Sequence, residues 1–352
     1  VHRHPEYHME DRNLLEHIDY EKGLYKYNGI TCPLTDTNFP TVDPKNPLEL
    51  TQKEAQLMDV LAASFAHSEA LQRHVRFLYS SGSMYLCMNG NLLFHGCIPM
   101  NEDGSFERVE VDGEKYAGRA LLDRLERAAR EAYFLPKDHP DKQKNVDKMW
   151  LLWCSAQSPL FGKSRMSAFE RYFTKEKALH EEVYNSYYRL SADPHVCDQI
   201  LKEFGVDPVH GHIINGHVPV RQKDGENPVK ADGKLYVIDG GLSKAYQAKT
   251  GIAGYTLIFN SHYLALAQHH DYISHPLSKP ESDEMPTLQI TQKMDKRILV
   301  SDTDAGKKLS QRMDELRLLV KAYENGSIVE RAIGSYPKTI QSLHMETMEI
   351  VR

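Results

Sequence analysis

Leu92-Leu93-Phe94-His95-Gly96 and Ile213-Ile214-Asn215-Gly216-His217 are two apolar runs, each stopping at a histidine beside a glycine. Short unbroken apolar runs suit strands buried on both faces, as in a parallel sheet. A histidine at the end of such a strand sits at the sheet rim, where open α/β sheets place their chemistry. Histidine is the commonest metal-binding side chain, and glycine lets the backbone turn tightly beside an ion. A single histidine so placed is more simply a satisfied strand end. Two of them in the same context point to a shared site.

The rest of the chain bounds this reading. It has 352 residues, 41% hydrophobic and 26% charged, the composition of an ordinary soluble protein with one or two domains. A formal charge of −6 argues against a nucleic-acid partner, which would call for a basic face. No apolar run approaches a membrane span. The opening Val1-His2-Arg3-His4 has no apolar core of a signal peptide and no initiator methionine, which suggests processing or a fragment. Cys32, Cys87, Cys97, Cys154 and Cys197 are scattered, odd in number and without a CxxC pair. That pattern fits reduced thiols in a cytoplasmic protein.

Local signals place the elements. Residues 1–50 read as polar and irregular, with one hairpin about Tyr27-Asn28-Gly29. Thr51 and Glu54 form a capping-box pattern that opens a helix carrying Leu57, Met58, Leu61, Phe65, Leu71, Val75 and Leu78, with Gly82 as its stop. Asn89-Gly90 marks a hairpin. A helix is expected over 116–134, a charged loop over 136–147, and 149–173 is rich in aromatics without a clear period. Asp193-Pro194 opens another helix, N-cap followed by proline, which Gly205 ends. A hairpin about Asp232-Gly233 leads to a strand over 235–238 and Asp239-Gly240-Gly241. A strand over 255–259 and a helix over 304–323 follow.

Several apparent motifs dissolve on inspection. Gly162-Lys163-Ser164 ends like a phosphate-binding P-loop, but the required upstream glycine is Gln157. Asp193-Pro194-His195 spells D-x-H, a metal-ligand pair elsewhere, yet here it caps a helix. His269-His270 has no partner pattern. Lys163, Arg165 and Arg171 among Trp153, Phe161, Phe169 and Tyr172 suit either an anion site with apolar walls or amphipathic packing.

His95-Gly96-Cys97-Ile98-Pro99 resembles the H-G-G-[IL]-x-P element of calcineurin-like metallophosphatases, and Gly216-His217-Val218-Pro219 resembles their G-H-x-P element. Trp150–Cys154 is similar to the L-x-W-[SD] element between them. The match is closest with the class III fructose-1,6-bisphosphatases of bacteria, through Asn91–Pro99, Ser158–Phe173, Gly211–Val220 and Val237–Leu257. It covers about Pro5 to Ile258 and weakens after that. The superfamily's D-x-H, G-D-x-x-D-R-G and G-N-H-[DE] elements do not precede the first histidine here, and family members are roughly twice as long. The resemblance therefore implies the C-terminal half of such an enzyme, inactive alone.

The resemblance implies an incomplete α/β metallophosphoesterase sandwich. Residues 1–82 would lead into the core. Residues 83–260 would hold half of the catalytic domain, with a helical insertion at about 100–192 capping the substrate. Residues 261–352 would be an extension carrying the helix at about 304–323. It implies a two-metal hydrolysis of the 1-phosphate of fructose 1,6-bisphosphate in gluconeogenesis, with two divalent ions, Mn²⁺ by the donor types. His95 and His217 would ligate one ion. The bridging aspartate and the general-acid histidine would lie in the other half. Lys163, Arg165, Lys230 and Lys244, in loop-like stretches of the matching segments, are candidates for holding the second phosphate. The alternatives are a phosphoprotein or dinucleotide-polyphosphate hydrolase on the same scaffold, or a non-catalytic interaction module.

Overall fold

The computed structural model describes residues 1–240, 248–252, 254–269 and 286–329. The chain divides into two compact units, Val1–Phe259 with Tyr263–Lys293, and Asn260–His262 with the residues from Met294 onward.

The first unit opens with an antiparallel meander of β1 (Ile18–Asp19), β2 (Leu24–Tyr27) and β3 (Ile30–Pro33). Its second turn is Asn28-Gly29, both at positive φ, the geometry a two-residue hairpin demands. Two helices follow, α1 (Gln52–His67) and α2 (Glu69–Ser81). The capping box at Thr51 and Glu54 forms as the sequence predicts. The single long helix expected there is broken at Ser68, whose side chain accepts from Leu71 N and starts α2 afresh. The apolar stripe is not buried either: Leu57, Met58, Leu61 and Phe65 are all exposed.

Strands β4 (Tyr85–Met88) and β5 (Asn91–Phe94) form the Asn89-Gly90 hairpin, and β6 (Val109–Val111) and β7 (Glu114–Tyr116) a second one. Helix α3 (Gly118–Phe134) buries Leu121, Leu122, Leu125, Ala128 and Ala132. Helix α4 (Lys142–Cys154) occupies much of what its charge marked as a loop. Short helices α5 (Ala168–Phe173) and α6 (Tyr187–Leu190) precede α7 (Pro194–Glu203), which starts at the Asp193 cap. Then come β8 (His212–Asn215), β9 (Val229–Lys230), β10 (Leu235–Val237), β11 (Gly254–Phe259), β12 (Tyr263–His269) and β13 (Thr287–Lys293).

The central sheet has the order β4-β5-β8-β10-β9. Strands β5, β8 and β10 are parallel, with Leu92 opposite Ile213 and Leu235 opposite Ile213 on the other side. Their carboxyl ends therefore lie at one edge of the sheet. Leu92, Phe94, Ile213, Leu235 and Val237 pack against Val196, Cys197, Ile200 and Leu201 of α7. A second core joins Tyr7 and Met9 to Val109, Val111, Leu121, Leu125 and Leu151. The N-terminal stretch is thus part of the packing. Strands β11, β12 and β13 make a separate antiparallel sheet with residues on both sides of 260. The molecule is α/β, several sheets with helices. In the second unit, α8 (Asp304–Glu324) follows a Thr303 cap and leaves Leu309, Met313, Leu316 and Val320 exposed.

Charge accounts for one join in the second core. Asp112 sits at φ 60° in the β6–β7 turn and receives Lys144 Nζ at 2.6 Å, Lys148 Nζ at 2.8 Å and the Arg124 guanidinium. Burial alone would raise its carboxyl, but the two ammonium hydrogen bonds and the Lys148 and Arg124 charges outweigh that and hold it at about 2. The folded value lies below the ordinary carboxylate value, so this contribution is complete above about pH 4. It is lost as pH falls from there through about 2. Asp112→Asn keeps a residue tolerant of positive φ. We expect it to lose about 1.5 kcal/mol at neutral pH and part of the parent's acid sensitivity, read by urea denaturation across pH 2–7. Unchanged acid sensitivity would rule the cluster out as its source.

Candidate metal centre

The two histidine turns are built into one another. Gly216 N donates to His95 O at 3.0 Å, so the end of β8 is tied to the end of β5. His217 lies at φ 67° in a γ-turn closed by Val218 N on Gly216 O at 2.8 Å. A non-glycine residue in this left-handed region is strained, and such strain collects at functional sites. The turn throws the His217 ring back toward His95. His95 Nε2 and His217 Nδ1 are 3.1 Å apart, with ring planes at 74°.

The protonation pattern follows from the neighbours. His217 Nε2–H donates to the Phe161 carbonyl at 2.9 Å, which places the lone pair on Nδ1, facing His95. Burial is the largest influence on this imidazole and lowers its pKa. The Phe161 carbonyl opposes that, the His95 and Lys163 charges reinforce it, and Asp239 pulls weakly upward. The net lowering favours the neutral ring, the form that ligates metals. A ligating histidine commonly gives its other N–H to a carbonyl, as here.

Both rings open on a cleft of about 1130 Å³ that also takes in Leu93, Ile214, Asn215 and Asp239. Apolar walls with a few convergent polar groups are the usual make-up of a small-molecule site. Asp239 follows β10 at the same sheet edge, and a Cβ on Gly216 would lie 3.3 Å from its Cβ.

Two imidazole nitrogens 3.1 Å apart fit one cation, since metal–nitrogen bonds of about 2.0–2.1 Å set ligand nitrogens about 3–4 Å apart. They supply two donors only. Among the described residues no group of three or more His, Cys, Asp or Glu is arranged to hold an ion.

The basic candidates divide. Lys163 Nζ pairs with Glu182 at 3.1 Å and lies 5.5 Å from the Tyr184 ring centre. Its charge reaches His217. Arg165 is buried, and its guanidinium donates to the carbonyls of Leu179, Ala178 and Glu181 and stacks over Tyr27. These bonds tie a loop together, and the other terminal nitrogen of Arg165 lies 3.8 Å from Glu170 Oε1. Lys230 is paired with Glu226. Lys244 lies outside the described residues. The Asp193–His195 pair caps α7 as expected, Asp193 accepting from His195 N at 2.9 Å.

Sequence reasoning missed Asn215, Asp239 and the Phe161 carbonyl. Asp239 had a readable signal, a polar residue at the end of an apolar strand, the same pattern that marks the two histidines. A backbone carbonyl carries none.

Comparison with known proteins places the chain. The family described as Firmicute fructose-1,6-bisphosphatase matches residues 1–325. Fructose-1,6-bisphosphatase class 3 of Clostridium beijerinckii is 51% identical over 330 residues, 94% of this chain and 50% of that protein. The protein of the same name from Clostridium novyi is 49% identical over 332 residues, 94% of this chain and 50% of its own length. That from Fusobacterium nucleatum is 49% identical over 327 residues, 93% and 51%. No solved structure matches. The chain spans about half the length of these curated relatives. The family match extends beyond Ile258 to residue 325. The comparisons do not support reading the chain as a C-terminal half, since the family match begins at residue 1 and the alignments take in almost all of it. With the family matched over most of its length, the chain belongs to the Firmicute fructose-1,6-bisphosphatases.

Proposed function

We propose that the protein is a metal-dependent phosphatase that hydrolyses the 1-phosphate of fructose 1,6-bisphosphate, giving fructose 6-phosphate in gluconeogenesis. Family membership supports the substrate. The observation that carries the metal reading is the convergence of His95 Nε2 and His217 Nδ1, with the His217 proton held on the far nitrogen by Phe161. On this reading the central sheet is one layer of a calcineurin-like sandwich, and the cleft over its carboxyl edge receives the sugar.

His95 and His217 would hold a divalent cation, Mn²⁺ by analogy of donor types. When bound, such an ion polarises a phosphoryl oxygen and acidifies water. The chain's own part is to present two imidazoles in fixed orientation and to wall the cleft with Leu93 and Ile214. A small-molecule partner and a cytoplasmic location suit the net acidic chain and its five free cysteines. Among the described residues no helix is long and apolar enough to cross a membrane.

The test is phosphate release from fructose 1,6-bisphosphate with Mn²⁺, beside a phosphopeptide and a dinucleotide polyphosphate. Preference for either comparator would replace the proposed substrate. Lys163 gives a sharper check, because its charge lies near His217 and its Glu182 partner can release it to an incoming anion. A charge-assisted bond to the distal phosphate is worth about 1.5–3 kcal/mol. Lys163→Ala should therefore raise KM for the bisphosphate roughly tenfold. Fructose 1-phosphate, lacking the distal group, should be hydrolysed almost unchanged. Equal loss on both substrates would remove Lys163 from the clamp.

A further inference from the structure

Asn215 is 4% exposed at the end of a strand whose other residues are also buried. A strand end that only packs would carry valine or isoleucine there. Instead the amide is committed in one direction. Nδ2 donates to the Gly96 carbonyl at 3.3 Å and to the Tyr187 hydroxyl oxygen at 2.7 Å. Among the described residues Oδ1 is buried with no partner. The Gly96 carbonyl can only accept, so the amide must turn its nitrogen there and leave the oxygen unsatisfied. A buried acceptor without a donor costs stability, and a fold that keeps one gains something from the other end of the amide.

The other end reaches the histidine turns. Asn215 stands two residues before His217, and the carbonyl it holds belongs to the residue after His95. Two backbone bonds run beside this link, Gly216 N to His95 O at 3.0 Å and Cys97 N to Pro159 O at 2.9 Å. The Asn215 amide is thus a side-chain tie between the two turns, beside the contact of the rings themselves.

We propose that Asn215 is a positioning residue that fixes the separation of the His95 and His217 imidazoles. This rests on the proposed metal reading and deepens it. The amide touches neither ring and reaches them through the Gly96 carbonyl. It sets whether the two nitrogens stay at the spacing one ion needs.

The test uses the whole chain. Asn215→Leu keeps the branched shape and removes both donors. Tyr187→Phe removes only the hydroxyl partner and leaves the Gly96 bond. The double variant His95→Ala/His217→Ala defines metal bound elsewhere. Zn²⁺, which imidazole favours, is titrated against a chromophoric chelator, and the ring nitrogens are read by ¹⁵N NMR without metal. Asn215→Leu should weaken the histidine-dependent Zn²⁺ affinity by about 10–100-fold and shift the ring-nitrogen signals of both histidines. Tyr187→Phe should lower the melting temperature yet change the affinity less than about threefold, which a merely structural role for Asn215 does not predict. A folded Asn215→Leu protein with unmoved ring signals, or with parental Zn²⁺ affinity, overturns the proposal. If Asn215→Leu does not fold, Asn215→Ser, polar but too short to reach Gly96, takes its place under the same expectations. If the parent binds no more Zn²⁺ than the double variant, the metal reading falls, and the ring signals still decide the positioning role.

Discussion

On the proposed metal-dependent reading, alanine at His217 is expected to lower kcat/KM for fructose 1,6-bisphosphate by roughly a thousandfold or more while leaving the protein folded. The two parts of this expectation have separate grounds. Loss of the imbedded donor removes one of the two nitrogens that stand 3.1 Å apart, and a single remaining imidazole cannot chelate. Lewis-acid stabilisation of phosphoryl transfer is worth several kcal/mol, and each 1.36 kcal/mol is tenfold in rate. The fold has little at stake in the ring. His217 lies outside β8, it opens on the cleft, and the Phe161 carbonyl it releases can be met by water. The strained φ of 67° remains whichever of the two side chains is present. His95→Ala should behave alike, and the double variant should be no worse than either single one, because the pair acts as a unit. The readouts are steady-state kinetics with Mn²⁺, bound metal after dialysis, and a thermal melt. A folded His217→Ala protein retaining a tenth of the parental kcat/KM would exclude His217 as a metal ligand.

What was legible in the sequence was whatever is encoded by neighbours along the chain. The parallel strands β5 and β8 showed as unbroken apolar runs. The Asn89-Gly90 and Asp232-Gly233 turns showed by residue type, and the α1 and α7 starts by their caps. What was hidden depends on partners far away. Helix α4 reads as a charged loop because Lys142, Lys144, Asp147 and Lys148 crowd its sequence. Its Lys148 is nonetheless buried, made tolerable by Asp112 in another hairpin. Arg165 looks like an anion ligand because aromatics surround it, but the carbonyls that take up its guanidinium have no signature in residue type. The stripes on α1 and α8 announce amphipathic helices without saying what covers them, and those side chains are exposed. At the site itself the ligand candidates were visible and their supports were not. Phe161 contributes through its backbone, and Asn215 looks like one more residue of a strand.

Gly96→Ala is expected to cost about 3 kcal/mol and to disorganise the candidate metal centre with it. The reason is a close approach of two chain segments. A Cβ on Gly96 would lie 2.2 Å from the Pro159 carbonyl oxygen and 3.4 Å from Leu160 Cα. The obstacle is backbone, so no rotamer change relieves it, and the segment Pro159–Phe161 must move away. That movement stretches the bond from Cys97 N to Pro159 O, now 2.9 Å. It also withdraws the Phe161 carbonyl from His217 Nε2, now 2.9 Å away. Without that carbonyl the His217 proton is no longer confined to Nε2, and the lone pair on Nδ1 is no longer fixed toward His95. Stability and metal affinity should fall together, although the methyl group touches neither imidazole. Gly216→Ala is the comparison. Its Cβ would meet the Asp239 side chain at 3.3 Å, a contact that a side chain can ease. It should cost less than half as much. Urea denaturation gives the first quantity and Zn²⁺ titration of the folded protein the second. If Gly96→Ala is as stable as the parent, the 159–161 segment yields freely and cannot be what holds His217 in place. If it is less stable but binds metal normally, the Phe161 carbonyl is dispensable to the centre.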